Sequence, residues 1–223
     1  MILIDKRLMY VATPKTATQS IKAAIVNSGI PFEEFHNYVT PGDTHYHVSL
    51  SEMISKWGMK ESFCLERDWF ERWFSGFTYI IYGYLHYDNL EPRFKLEDID
   101  NNFIYETFTR DFVNTLYSPD KNDLRKIQQV FLHDPGKLEH PGRVKVLCSS
   151  NFWKSGRKCT YEFNFKELNK VSTFFEENFN CRFKVPNLND TKSIFRLSNV
   201  VINDELKSFV YNRFEKRFNN KLL

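Results

Sequence analysis

The chain contains little glycine and little proline, and this shortage excludes two kinds of protein. Only 8 of its 223 residues are glycine and 8 are proline, whereas 42% are hydrophobic and 17% are aromatic. Fibrous and disordered proteins have the opposite balance, so we expect an ordinary globular protein. The length suits one domain with a substantial core.

Paired cysteines, excess charge and long apolar runs are missing as well. The four cysteines show no CxxC pair and no regular spacing, which argues against a disulfide framework and favours reduced thiols in a cytosolic protein. A net charge of only +3 excludes a histone-like polycation. The first residues, MILIDKRLMY, carry charges where a signal peptide is apolar. No apolar run approaches the roughly 20 residues that cross a bilayer. We therefore expect a soluble protein without a targeting segment.

Patterns typical of strands alternate with patterns typical of helices. Short apolar runs predict strands over residues 7–13, 32–38, 62–66 and 144–149. Periodic runs predict helices over residues 17–28, 49–57, 69–87, 101–117, 124–132, 165–178 and 205–218. The alternation favours an α/β fold with a central parallel sheet flanked by helices, in one domain over residues 1–223.

The stretch YVATPKTATQSI, from Tyr10 to Ile21, has the pattern of an anion-binding turn. A predicted strand stops at a proline, and Lys15 with small or hydroxylated residues leads into a predicted helix. Such a turn gathers backbone N–H groups and the positive end of a helix dipole around one point. The Gly-Lys-Ser/Thr ending of a nucleotide P-loop is absent, which disfavours a nucleotide kinase. By itself, the stretch is also typical of a purely structural helix cap.

A second stretch, CLERDWFERWFSGF, begins at Cys64 and carries another cation at a strand end. Arg67 follows a predicted strand, on the rim where open α/β sheets bind ligands. Ser75 lies about two helical turns further on, so both side chains can reach one anion, with the arginine giving forked hydrogen bonds. The i, i+4 spacing of Asp68 and Arg72 predicts a surface ion pair, and the aromatic positions of this helix predict core.

Between His140 and Tyr161 the chain carries basic residues and no acidic one. These basic residues are Arg143, Lys145, Lys154, Arg157 and Lys158. The run is typical of a solvated basic face, and it is also compatible with a site for a phosphate or an anionic substrate.

Taken together, PKTATQS and the later RDWFERWFS resemble the paired phosphate motifs of sulfotransferases that use 3′-phosphoadenosine-5′-phosphosulfate (PAPS). The chain is most similar to the branch that contains heparan sulfate 2-O-sulfotransferase and related carbohydrate sulfotransferases. The resemblance implies a P-loop-like sulfotransferase fold. Trp69 stands where the family usually has proline.

The resemblance also implies roles for the matching residues. The first motif, which binds the 5′-phosphosulfate in the family, comprises Pro14, Lys15, Thr16, Ala17, Thr18, Gln19 and Ser20. Lys15 is expected on the bridging oxygen and the departing phosphate, and Arg67 and Ser75 are expected on the 3′-phosphate. No metal is implied, because lysine and backbone dipoles supply the positive field.

Two histidines lie between the motifs, in THYHVSLSEM. This segment resembles the His-x-His-Val-Ser segment of the same branch, which implies that His45 or His47 deprotonates the acceptor hydroxyl. A neutral imidazole with a pKa near 6.5 suits that step. From the residues alone, a structural pair or two ligands of a metal stay open, although a metal needs a third ligand.

The expected activity is transfer of a sulfuryl group from PAPS to an acceptor hydroxyl, with a carbohydrate as the expected acceptor. The alternative is a non-catalytic protein of the same fold that binds nucleotides or polyanions. We expect no nucleic-acid partner and no membrane span. Because the family's Golgi-type anchor is missing, a cytoplasmic location in a bacterial or virus-infected cell is expected.

Overall fold

The computed structural model describes residues 1–35, 48–86, 97, 99–109, 147, 149–187 and 197–216, with only the backbone described for 80–86 and 106–109. The chain divides into two compact units. Unit 1 comprises Met1–Arg72 and Ser149–Asp190, and unit 2 comprises Trp73–Cys148 and Thr191–Leu223. The single domain expected from the sequence stays a prediction.

The described residues form strands and helices in alternation. The strands are β1 (Ile2–Ile4), β2 (Leu8–Val11), β3 (Phe32–Glu34), β4 (Glu61–Glu66) and β5 (Tyr161–Asn164). The α-helices are α1 (Thr18–Ser28), α2 (Leu50–Trp57), α3 (Trp69–His86), α4 (Asn101–Thr109), α5 (Ser150–Trp153), α6 (Leu168–Phe179) and α7 (Asp204–Val210). A π-helical turn, Tyr211–Glu215, follows α7.

The α/β class is confirmed, but the sheet is mixed rather than wholly parallel. Its strand order is β3-β1-β2-β4-β5; β1 is antiparallel to β2 and β3, whereas β2, β4 and β5 run parallel. A tight turn joins β1 to β2, with Asp5 and Lys6 at positive φ (47° and 56°). A parallel pair needs a crossover of a dozen or more residues, so this short turn forces antiparallel pairing.

Most predicted elements of unit 1 are confirmed near their predicted bounds. Helix α1 ends at Gly29, which adopts φ 73° as a left-handed C-cap. Helix α2 begins with the expected capping box, in which Ser49 and Glu52 bond to each other's backbone N–H groups. The predicted strand 144–149 is wrong where it is described, since Ser149 instead caps α5. The predicted helix 124–132 lies outside the described residues.

Stacked aromatic rings fill the core of unit 1. Tyr10 on β2 stacks on Phe63 of β4, with ring centroids 4.7 Å apart. Phe175 of α6 meets Phe63 edge-on at 5.4 Å and stacks on Phe183 at 4.1 Å. All four side chains are buried, so α6 is held against the sheet by large apolar contacts.

Unit 2 has its own aromatic centre. Trp73 and Phe77, both on α3, are fully buried and stack at 5.4 Å, as the aromatic pattern predicted. The ring centroid of Phe214 lies 5.5 Å from that of Trp73. The Asn101 side chain donates to the backbone oxygen of Val201 and accepts from its N–H, each at 2.9 Å. Across the described residues, no helix is long and apolar enough to cross a membrane.

Helix α1 begins at a residue in a strained backbone conformation, and this allows a stability test. Its N-cap, Ala17, adopts φ 57° and ψ 29°, a left-handed geometry that costs a residue with a Cβ roughly 1–2 kcal/mol. Glycine avoids that cost but adds about 0.4–1 kcal/mol of freedom to the unfolded chain. We therefore expect Ala17→Gly to raise the free energy of unfolding by up to about 1 kcal/mol.

The matched control is Ala23→Gly in the interior of α1, which we expect to lower the free energy of unfolding by roughly 0.5–1 kcal/mol. Denaturant titration of both variants measures the difference. A loss of stability for Ala17→Gly as large as that for Ala23→Gly would show that Ala17 is not strained.

Candidate anion-binding site

Three parallel strands bring their carboxyl ends to one edge of the sheet. Strands β2 and β4 are neighbours, with Val11 opposite Cys64, so the loops that follow them lie side by side. Strand β5 ends at the same edge, where the N–H of Phe165 donates to the carbonyl oxygen of Glu66 at 2.7 Å. Ligands of open α/β sheets bind at such an edge.

Thr13 holds the loop after β2 in shape. Its hydroxyl donates to the carbonyl oxygen of Leu65 at 3.1 Å and so ties the end of β2 to β4. Its own carbonyl oxygen accepts from the hydroxyls of Thr16 and Thr18, at 2.7 and 3.2 Å. Thr13 and Thr16 are fully buried. These bonds fix the loop without any glycine.

The loop between β2 and α1 stores backbone strain. Lys15 and Ala17 both adopt positive φ, 64° and 57°. Left-handed geometry at residues other than glycine concentrates where a loop presents its backbone to a ligand. Helix α1 also starts without a side-chain cap on its first N–H groups. An anion at this end would accept from those N–H groups and meet the positive end of the helix dipole.

Arg67 is the best-positioned cation at this edge. Its Nη1 donates to the carbonyl oxygen of Lys15 at 3.1 Å, and its side chain is only 10% exposed. Within the described part of the chain, this is the one hydrogen bond of a group that has five N–H donors. Nε lies 3.6 Å from Oε2 of Glu71, an ion pair that is too long for a hydrogen bond. A buried guanidinium with donors to spare suits an anionic ligand.

Lys15 and Arg67 repel each other across this edge. The pKa of the Lys15 ammonium group is lowered from 10.5 to about 8, first by burial and second by the positive charge of Arg67. The pKa of Arg67 is also lowered, mainly by burial, although an arginine stays charged. An anion between these two groups would offset both effects.

One carboxylate and one aromatic ring support Arg67. The Glu71 carboxylate is shared between Arg67 and Lys166, which lies 3.3 Å from Oε1. The Phe165 ring lies 4.8 Å from the guanidinium carbon, at cation–π distance. Both contacts hold the guanidinium in one orientation at the strand ends.

The predicted surface ion pair between Asp68 and Arg72 is wrong. Arg72 is fully buried, and so it is not a surface residue. The Asp68 carboxylate instead accepts from the N–H of Glu71 at 2.9 Å and caps α3. Glu71 of α3 forms an i, i+4 ion pair with Arg67, which precedes the helix.

The structure places the residues of the first predicted motif along one loop and helix start. Pro14, Thr16 and Ser20 are buried, Lys15, Ala17 and Thr18 are half-buried, and Gln19 is exposed. The hydroxyl protons of Thr16 and Thr18 are directed to Thr13, so the backbone N–H groups are the donors that the loop offers.

For two parts of the predicted site the described residues give no test. Ser75 is half-buried on α3 in unit 2, and its part in the site stays a prediction. His45 and His47 lie outside the described residues, and so do Arg143 and Lys145 of the basic run.

The described part of the basic run is only partly a solvated face. Arg157 and Lys158 are exposed. Lys154 is buried, and its Nζ lies 2.7 Å from Oε1 of Glu66 and 3.1 Å from Oε1 of Glu162. The run therefore includes one structural ion pair network.

Sequence reasoning missed three residues of this edge. The sequence pattern marks Thr13 only as the end of a strand, because its tie to β4 is one long-range hydrogen bond, to the carbonyl oxygen of Leu65. Glu71 could have been found from the sequence, because its i, i+4 spacing from Arg67 predicts an ion pair. Phe165 carries no signal in the sequence, because its contact with Arg67 depends on the pairing of β4 with β5.

Comparisons of the chain with protein-family models, with curated proteins and with solved structures find no match.

The lowered pKa of Lys15 predicts how anion binding changes with pH. An anion binds the protonated ammonium better than the neutral amine, so it raises the pKa of Lys15 back towards 10.5. The affinity for the anion is therefore highest below pH 8, where Lys15 is protonated in the free protein. It falls as pH rises through about 8, by up to about tenfold per pH unit. Calorimetric titration with sulfate between pH 7 and 10, at constant ionic strength, measures this fall.

Sulfate stays a dianion over this whole pH range, so its own titration does not contribute. The matched control is Lys15→Arg, whose side chain stays charged and should give a flat profile. An equally steep fall in Lys15→Arg would mean that another group controls anion binding.

Proposed function

We propose that this chain is a PAPS-dependent sulfotransferase with a P-loop-like sulfotransferase fold, acting on an acceptor hydroxyl of a carbohydrate. The observation that carries the proposal is the convergence of Lys15 and Arg67. They lie 52 residues apart in the chain, yet Arg67 donates to the backbone of Lys15 at the ends of two parallel strands. The two sequence motifs that resemble the family's phosphate motifs thus supply one cluster of cations.

The donor carries anions at two ends, and the cluster offers a cation for each. The ammonium of Lys15, with the N–H groups of the loop and of α1, suits the 5′-phosphosulfate. Arg67, held by Glu71 and Phe165, suits the 3′-phosphate that distinguishes this donor from ATP. Ser75 is proposed as a further donor to that phosphate.

In the proposed reaction the acceptor oxygen attacks sulfur in line with the leaving group. A bond forms between that oxygen and sulfur, and the bond from sulfur to the bridging oxygen of the 5′-phosphate breaks. The acceptor proton passes to His45 or His47. The leaving phosphate gains negative charge, and Lys15 stabilises that charge. Adenosine 3′,5′-bisphosphate and the sulfated acceptor are the products.

The half-buried position of Lys15 makes it suited to this role. A cation in a partly desolvated site interacts with developing charge more strongly than one in water. Because its charge is needed most when the leaving phosphate forms, its loss should lower kcat more than the affinity for the bisphosphate product.

Transfer of radiolabelled sulfate from PAPS to a panel of hydroxyl acceptors tests the proposal. We expect label transfer by the wild-type chain, and a loss on the order of 10²–10³ in rate for Lys15→Ala. Replacement of the catalytic histidine, tested as His45→Ala and His47→Ala, should cost about 10²–10⁴ in rate and leave bisphosphate affinity nearly intact.

A non-catalytic nucleotide or polyanion binder would give the opposite pattern. It would bind the bisphosphate but transfer no label to any acceptor. Neither histidine variant would change its affinity for the bisphosphate. Asn27→Ala, at an exposed position of α1 outside the motif, is the control for an unspecific effect of substitution in this helix.

A further inference from the structure

Two buried thiols and a carboxylate converge near the ammonium group of Lys154, which pairs with Glu66 of β4 and Glu162 of β5. The Sγ atoms of Cys64 and Cys159 and a carboxylate oxygen of Glu162 all lie within 4.8 Å of one another. Cys64 of β4 stands opposite Glu162 of β5 in the parallel register, and Cys159 precedes β5 by two residues. Cys64 is 0% and Cys159 is 3% exposed, and neither forms a disulfide.

The Glu162 carboxylate is held in place by one of its two oxygens. Oε1 accepts from the N–H of Cys159 at 3.2 Å and from Nζ of Lys154 at 3.1 Å. The structure gives Oε2 no partner among the described residues. Metal-binding carboxylates are commonly oriented by hydrogen bonds of this kind, which leave the other oxygen for the ion.

Both cysteines belong to the hydrophobic core of unit 1, but each also has a carboxylate as a neighbour. Cys64 donates its S–H to Oε1 of Glu66 at 3.5 Å, and Glu66 in turn binds Lys154 at 2.7 Å. The S–H group of Cys64 therefore has a polar partner beside the cluster. Ordinary buried thiols lie among apolar groups and stay protonated.

We infer that Cys64, Cys159 and Glu162 form a binding site for a thiophilic divalent metal ion of the Zn²⁺ type, with water as the fourth ligand. Two thiolates and one carboxylate are a ligand set that zinc accepts, whereas Mg²⁺ and Ca²⁺ prefer oxygen ligands alone. The site stands on two neighbouring strands and a short turn, so its ligands are already close in the folded chain.

The charges balance when the ion binds. Without metal, the two carboxylates of Glu66 and Glu162 and the ammonium of Lys154 sum to one negative charge. Binding places two positive charges and releases the two thiol protons to solvent, so the sum stays unchanged. Lys154 thereby lets four anionic groups surround one divalent ion.

Titration of the reduced full chain with Co²⁺, in the presence of a phosphine reductant, tests the site. Thiolate ligands give an intense charge-transfer absorption with Co²⁺ that oxygen ligands do not give. We expect this absorption at one ion per chain, its displacement by Zn²⁺, and release of two protons per ion in weakly buffered solution.

Cys64→Ser and Cys159→Ser should each weaken Co²⁺ binding by at least about 100-fold. Loss of a residue that only supports a metal ligand costs about 10–100-fold, so a ligand should cost at least that much. The matched control is Cys181→Ser, a half-buried cysteine outside the cluster, which should bind as the wild type does. If Cys64→Ser or Cys159→Ser unfolds the chain, Glu162→Gln replaces it as the test variant. Proton release is measured on the wild type, so it tests the site without any variant.

Three spectroscopic results would overturn the site. They are the absence of thiolate absorption in the reduced wild type, its persistence at unchanged Co²⁺ affinity in the folded Cys64→Ser and Cys159→Ser variants, and its loss in Cys181→Ser. Ready formation of a Cys64–Cys159 disulfide without metal affinity would identify the pair as a redox pair instead.

Discussion

The hydrogen bond from Arg67 to the carbonyl oxygen of Lys15 is the contact on which the candidate site depends. It exists because β2 and β4 pair in parallel, which brings the loops after both strands to one edge. Thr13 adds a second tie between the same two strand ends. The result is two cations of lowered pKa at the uncapped start of α1. An anion placed between the two cations would offset the effects of burial and of repulsion, which lower the pKa of Lys15.

Local signals in the sequence were sufficient for much of unit 1. Gly29 marked the end of α1, and the spacing of Ser49 and Glu52 marked the start of α2. Both depend on residues within one turn of each other, which is why the sequence alone predicts them. Lys15 and Arg67 could be placed at strand ends for the same reason.

Features that depend on long-range pairing were not predictable in this way. The mixed sheet follows from a short turn at Asp5 and Lys6, and the apolar residues before that turn do not show which neighbour β1 pairs with. The burial of Arg72 and the contact of Phe165 with Arg67 require the folded neighbours of α3 and β5. The part of His45 and His47, which lie outside the described residues, still depends on the resemblance alone.

The central claim is that Arg67 recognises the 3′-phosphate of a donor whose 5′ end is held by Lys15. Calorimetric comparison of adenosine 3′,5′-bisphosphate with AMP, in the wild type, Lys15→Met and Arg67→Met, tests it most directly. Charge-assisted hydrogen bonds contribute about 1.5–3 kcal/mol, so the wild type should prefer the bisphosphate by about 10–150-fold. Lys15→Met should weaken both ligands and keep that preference, whereas Arg67→Met should abolish it. Equal affinity of the wild type for the two nucleotides would contradict the account.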